Sequence, residues 1–234
     1  MLSFEVVPSD VRFNDCVLIT GFHGIGVAGF WAVKYLVQKM EAERVAYIDT
    51  DAASPISSTN SGKIVTPFEF FKKGKIVLFK AEIPPYREVE VEFFRKLSAW
   101  IKDVGFSEVV LIGGLDSSLK RDDSKFRIVH TTSFKPTGIL ESAPQLEDEQ
   151  IIVGPVATLL NRFEIFNFPA YAFLAYASRE RIDPRAAATT IETLGAHYDF
   201  KVDVGPLIKG AEAIETEVTK HDVKQDTQDD TMYT

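Results

Sequence analysis

Short apolar runs stopped by glycine alternate with longer stretches at helical spacing. CVLIT (16–20) is compact and β-rich, ends at Gly21, and predicts a buried strand. GVAGFWAVKYLVQKM (26–40) follows as a helix and RVAYID (44–49) as a second strand. This strand–helix–strand rhythm favours a parallel or mixed sheet covered by helices. Residues 51–62 form a polar loop, and KIVTPFEFF (63–71) and KIVLFKAEI (75–83) flank Lys73-Gly74 as a β-hairpin. Across 89–104, Phe93, Phe94, Leu97, Trp100, Ile101 and Val104 fall on one face of a helix. EVVLIGG (108–114), RIVHTT (127–132) and QIIVG (150–154) read as strands. Pro155 opens a helix to about Phe166, and PAYAFLAYA (169–177) is a last strand. Asp183 caps and Pro184 begins the helix RAAATTIETL, which Gly195 stops; a final helix covers about 204–217. The prediction is one three-layer α/β domain over 1–217, with a mixed, mostly parallel sheet flanked by helices.

Composition supports a globular core, with 45% hydrophobic and 26% charged residues in 234. Lys plus Arg number 26 and Asp plus Glu 34, and a net charge of −8 argues against binding a phosphate backbone. Seven acids and two bases lie between Glu212 and Thr234, so that stretch carries −5 and the remainder −3. Nothing between Val223 and Met232 is apolar, so 218–234 is expected to be a flexible acidic tail, unable to offset its ordering entropy. A single cysteine, Cys16 at the head of a buried strand, excludes an internal disulfide framework and a cysteine-rich zinc site. No secretory pattern or bilayer-length apolar run is visible, so the expected compartment is the cytoplasm.

The strongest local motif is GFHGIGVAG (21–29). Gly24, Gly26 and Gly29 fit G-x-G-x-x-G between a strand and a helix, and Asp49 closes the next strand twenty residues beyond Gly29. In a dinucleotide site these would make a tight turn, admit a pyrophosphate and hold a ribose. The first glycine stands four residues after Thr20 rather than directly after the strand, and a turn that lets a helix pack closely on the sheet explains the same glycines. Ser117-Ser118-Leu119-Lys120 has S-x-x-K spacing without its companion motifs, inside a charged loop. His23, His130, His197 and His221 share no metal-ligand spacing, and only His23 sits where a pocket is expected. Asp49, Asp51 and Asp116 read as solvated turn residues. No catalytic set, metal or cofactor is predicted. The terminal Met232-Tyr233-Thr234 offers an apolar group, a ring with a hydroxyl, and a carboxylate that pairs with a lysine.

Together LITGFHGIGVAGFWAVKYLV, IGG (112–114), IIVGPVATLLN (151–161) and DPRAAATTIETLGAHYDFKVDVGPLIKGAEAI (183–214) resemble the proteasome assembly chaperone family, second assembly chaperone type, in its archaeal and bacterial branch. The resemblance implies a nucleoside-phosphorylase-like fold, homo-oligomers, independence from ATP and no enzyme activity. It places a small-ligand pocket, if one is kept, at Gly21, His23, Gly24 and Gly26. Met232-Tyr233-Thr234 is similar to the hydrophobic–tyrosine–any motif with which activators enter pockets of the proteasome core particle's α-subunit ring. The implied function is assembly chaperone or activator docking through its tails. The rival is a nucleotide- or nucleoside-binding α/β enzyme using the turn at 21–29.

Overall fold

Eight strands make one sheet between two helical layers in the computed structural model, which describes residues 2–212. In chain order the elements are β1 (Glu5–Val7), β2 (Val17–Gly21), α1 (Ala28–Lys39), β3 (Glu43–Asp49), β4 (Ser58–Asn60), β5 (Lys63–Val65), β6 (Phe68–Lys73) and β7 (Ile76–Ala81). Then come α2 (Glu90–Asp103), β8 (Glu108–Asp116), β9 (Phe126–His130), α3 (Gly154–Ile165), β10 (Ala170–Ala177) and α4 (Pro184–Tyr198). A fifth helix, α5, occupies 205–212.

The sheet order is β1-β3-β6-β7-β2-β8-β10-β9, with β4 and β5 pairing separately. Its centre, β7-β2-β8-β10, is parallel, and both flanks are antiparallel. Five of the eight strands, β3, β7, β2, β8 and β10, therefore point the same way. Side chains of the central strands alternate between two cores, as the pleat requires. Leu18, Val109, Leu111, Ala172 and Leu174 face α2 and α3, where Phe93, Phe94, Leu97, Leu159 and Phe163 pack. Ile19, Val110, Ile112, Tyr171 and Phe173 face α1, α4 and α5, meeting Ala32, Leu36, Ala187, Ile191 and Leu207. The apolar stripe of 93–101 is this core contact.

Several boundaries differ from the sequence reading. The run 63–71 divides at Thr66-Pro67, its first part pairing with β4 and its second with β3 and β7. Residues 150–154 are not a strand, because the free edge of β9 is already occupied. Ile128 exchanges backbone hydrogen bonds with Pro144 and Leu146 there, leaving Ile151 85% and Val153 77% exposed. Gly195 does not stop α4, which runs to Tyr198 and ends at Asp199 in a left-handed conformation (φ 55°). Gly195 instead makes room for the returning chain: a Cβ there would lie 2.6 Å from the Phe200 carbonyl oxygen. β1 and β4 carried too little apolar pattern to be predicted. The domain boundary expected at 217/218 lies outside the described residues.

Candidate functional site

The glycine turn joins β2 to α1 at the carboxyl edge of the parallel strands, where open α/β sheets commonly bind ligands. Its shape follows from backbone contacts. The Phe30 N–H donates to the Phe22 carbonyl (3.2 Å), the Val27 N–H to Gly24 (2.9 Å), and the Asp183 N–H to Gly26 (2.9 Å). Gly26 has φ 62°, and a Cβ on it would stand 2.6 Å from that of Ala177. A Cβ on Gly29 would lie 2.5 Å from the Ile112 carbonyl oxygen, and one on Gly21 at 2.5 Å from the Gly29 backbone. On the facing strand, a Cβ at Gly114 would lie 2.4 Å from the Ile25 carbonyl oxygen. Helix α1 thus rests backbone to backbone on β2 and β8, and these glycines act in close packing.

His23 and Gly24 are the exposed positions of the turn. His23 lies flat on Phe30, ring centroids 4.0 Å apart. Burial of one ring face lowers its pKa, with the Glu82 carboxylate opposing that shift and Lys34 reinforcing it. Two concavities adjoin the turn, one through Lys34 and Glu82 and one through Asp183, and neither is lined by Gly21, His23, Gly24 or Gly26. The dinucleotide arrangement is not assembled. β6 and β7 intervene between β2 and β3, which sets Asp49 roughly 14 Å across the sheet from the turn at ordinary strand spacing.

The other sequence candidates are dispersed. Ser118 donates through both its N–H and its hydroxyl to Asp116 Oδ1 (2.9 and 2.7 Å), while Lys120 stands over the Tyr176 ring at 6.0 Å. His130 Nδ1 is 3.0 Å from the Thr131 carbonyl oxygen, and Cys16 is buried. Among the described residues no group of three or more His, Cys, Asp or Glu is placed to hold a metal ion. None of their helices is long and apolar enough to cross a membrane.

Two charged assemblies were not singled out in the sequence. In the first, Glu69 is fully buried and directly opposite Lys80 in the β6–β7 register. Glu69 Oε1 accepts from Arg44 Nη1 (2.8 Å) and the Thr66 N–H (2.9 Å), and Oε2 lies 3.2 Å from Lys80 Nζ. Lys80 Nζ also meets Glu82 (3.0 Å), which pairs with Lys34 (2.9 Å). Burial alone would raise the Glu82 carboxyl, but the two ammonium groups hold it below its ordinary value. Arg44, Glu69 and Lys80 line a cavity of about 850 Å³ beneath the β4–β5 hairpin. Counting outward from the Lys73-Gly74 turn pairs Glu69 with Lys80, so the signal was present in the hairpin itself.

The second assembly centres on buried Arg127 of β9, which donates to Asp122 Oδ2 (2.8 Å) and Glu147 Oε1 (3.0 and 3.1 Å) beneath the Tyr176 ring. The hydrogen bond from Arg127, then that from the Ser124 N–H, brings the Asp122 carboxyl down to about 2. A carboxyl depressed on folding contributes stability above its unfolded pKa, near 4, and loses it as pH falls through the folded value. The melting temperature of Asp122→Asn is therefore expected to lie below that of the parent at pH 5 and to converge on it near pH 2. Parallel thermal melts across that range check it, and a gap that stays constant with pH would contradict the pairing.

The sequence signature of the PAC2 family matches residues 18–221. The chain belongs to the PAC2 family. Proteasome assembly chaperone 2 of Danio rerio is 28% identical over 158 residues, 63% of this chain and 56% of that protein. The fold is shared with Pyrococcus furiosus PbaA, described as an archaeal homolog of proteasome-assembly chaperone, at TM-score 0.76 and 23% identity over 97% of this chain and 100% of that one. Pyrococcus furiosus PbaB, described as an archaeal proteasome activator, gives TM-score 0.71 and 16% identity over 94% and 98%. In this PAC2-family chain, Met232, Tyr233 and Thr234 lie outside the described residues.

Proposed function

We propose that this PAC2-family protein is a cytoplasmic proteasome assembly chaperone or activator. It acts without ATP and without bond chemistry, and docks on the α-subunit ring of the core particle through the C-terminal tails of a homo-oligomer. The observation that carries this reading is the sequence Met232-Tyr233-Thr234 after an acidic stretch, in a chain of this family. The names of the Danio rerio and Pyrococcus furiosus relatives support the same partner.

Tyr233 brings a ring and a hydroxyl together, and the Thr234 carboxylate suits a lysine at a pocket rim. Several tails on one oligomer raise the effective concentration of each, so weak single contacts add up to useful avidity. Docking then favours one conformation of the ring, during assembly or at its gate. The acidic segment makes capture salt-sensitive and suited to basic pocket rims.

The test is capture of purified core particles by the full chain and by one lacking Met232-Tyr233-Thr234, at low and moderate salt. Capture by the full chain alone is expected, and Tyr233→Ala is expected to weaken it at least about tenfold, the loss of roughly one good anchor. Capture that survives the deletion moves the contact onto the α/β body and overturns the tail mechanism. Capture by neither form overturns the proteasome reading.

A further inference from the structure

A cleft of about 400 Å³ opens where the turn after β8, the end of β10 and the first turns of α4 meet. Tyr176 and Ile208 supply apolar surface, and Lys120, Lys125 and Arg185 supply positive charge. Two acids also line it. The Asp183 carboxylate is engaged by the Ser178 and Ala186 N–H groups (2.9 and 3.1 Å), and Glu192 stands two turns along α4 from Arg185. The cleft therefore suits a short segment that is apolar on one side and acidic on the other.

The chain delivers such a segment to the cleft. In α5, Leu207 and Ala211 are buried, Ile208 lines the cleft, and Glu212 lies 4.0 Å from Arg185. The sequence beyond 212 continues both patterns. Ile214 and Val218 follow Leu207 at seven and eleven residues, the spacing of one helical stripe. Glu215 follows Glu212 by three residues, and Glu217 comes next.

We propose that residues 213–218 of the chain seat in this cleft, with Ile214 and Val218 on its apolar floor and the carboxylates of Glu215 and Glu217 facing Lys120 and Lys125. Covalent continuity makes the contact intramolecular, so modest contacts suffice at the resulting effective concentration. The seated segment is an anchor for the root of the tail. It leaves the sixteen residues 219–234 as free reach, about 55 Å when fully extended. The tail then starts from a fixed place beside α4, and added salt loosens that starting point.

This inference goes beyond the docking reading and does not depend on it, since it is read on the isolated protein. The experiment is amide hydrogen exchange on the full chain at low salt, against Lys120→Glu/Lys125→Glu. Amides of 213–218 are expected to exchange at least about tenfold faster in the double variant, while those of β8 and β10 stay unchanged. Adding Glu215→Lys/Glu217→Lys to that variant is expected to restore protection. If β8 and β10 also exchange faster, Glu215→Lys/Glu217→Lys alone replaces the double variant, with the same reading. Protection of 213–218 that ignores both charge reversals, or its absence in the parent chain, overturns the proposal. Protection that fades on dilution assigns the cleft to the segment of a second copy and likewise overturns it.

Discussion

Replacing Glu69 with Gln is expected to destabilise the domain by about 3–5 kcal/mol, the usual penalty for removing one partner of a buried ion pair. That is a large part of a folding stability of about 5–15 kcal/mol. Gln keeps the size of the side chain but presents an amide where a carboxylate faced two cations. Arg44 keeps a carbonyl to donate to, yet the NH2 group is turned towards Lys80, whose ammonium was 3.2 Å from Oε2. Lys80 is nearly as buried as Glu69 and is left sharing Glu82 with Lys34. A second variant separates charge from packing. Glu69→Leu/Lys80→Met removes both members of the central pair, and it is expected to recover part of the loss, because matched apolar replacements spare both desolvation terms while Arg44 and the Thr66 N–H still lose their acceptor. Urea unfolding of the three proteins measures this. A loss below about 1 kcal/mol for Glu69→Gln, the level of an exposed surface pair, would show that the network is open to water.

Gly29→Ala is expected to lower stability by about 2–3 kcal/mol, at the upper end for overpacking. The added methyl would meet the Ile112 carbonyl oxygen at 2.5 Å and the Phe22 nitrogen at 2.9 Å. Both atoms belong to backbone, so no side chain can swing aside; α1 has to lift from the sheet. Gly24→Ala is the matched control. Nothing lies within 4 Å of its Cβ position, and its φ of −127° suits any residue, so the change is expected to stay within about 0.5 kcal/mol. A dinucleotide turn would put its first tight-turn glycine at Gly24 and make that position sensitive too. Equal losses at the two glycines, measured by denaturation, would contradict the packing account.

What could be read in the sequence was local. The β2 run, the hairpin at Lys73-Gly74, the α2 stripe and the Asp183-Pro184 start of α4 each carry their signal within a few residues. Strand order does not. Asp49 follows Gly29 at the spacing of a ribose-binding acid, yet the β6–β7 hairpin enters the sheet between their strands. The same insertion buries Glu69 and Lys80. FEFFKK and IVLFKA look like the strands of an isolated hairpin until β3 and β2 flank them. Arg127 finds Asp122 five residues earlier and Glu147 twenty later, a pairing that only the return of the chain creates. Ile151 and Val153 pass every local test for a strand but find no free edge. The terminal triplet is the opposite case, visible in sequence alone.

Sheet order also governs how the molecule is made. β2 is complete at residue 21, but its two neighbours are β7, ending at residue 81, and β8, ending at residue 116. At about 5–20 residues per second, a ribosome needs roughly 5–20 s to supply the intervening 95 residues. Through that interval β2 lacks at least one of the two strands that later pair with it, and both until β7 emerges. The short strand at the heart of the finished sheet thus waits with an open edge while the chain grows, and gains from shielding during translation.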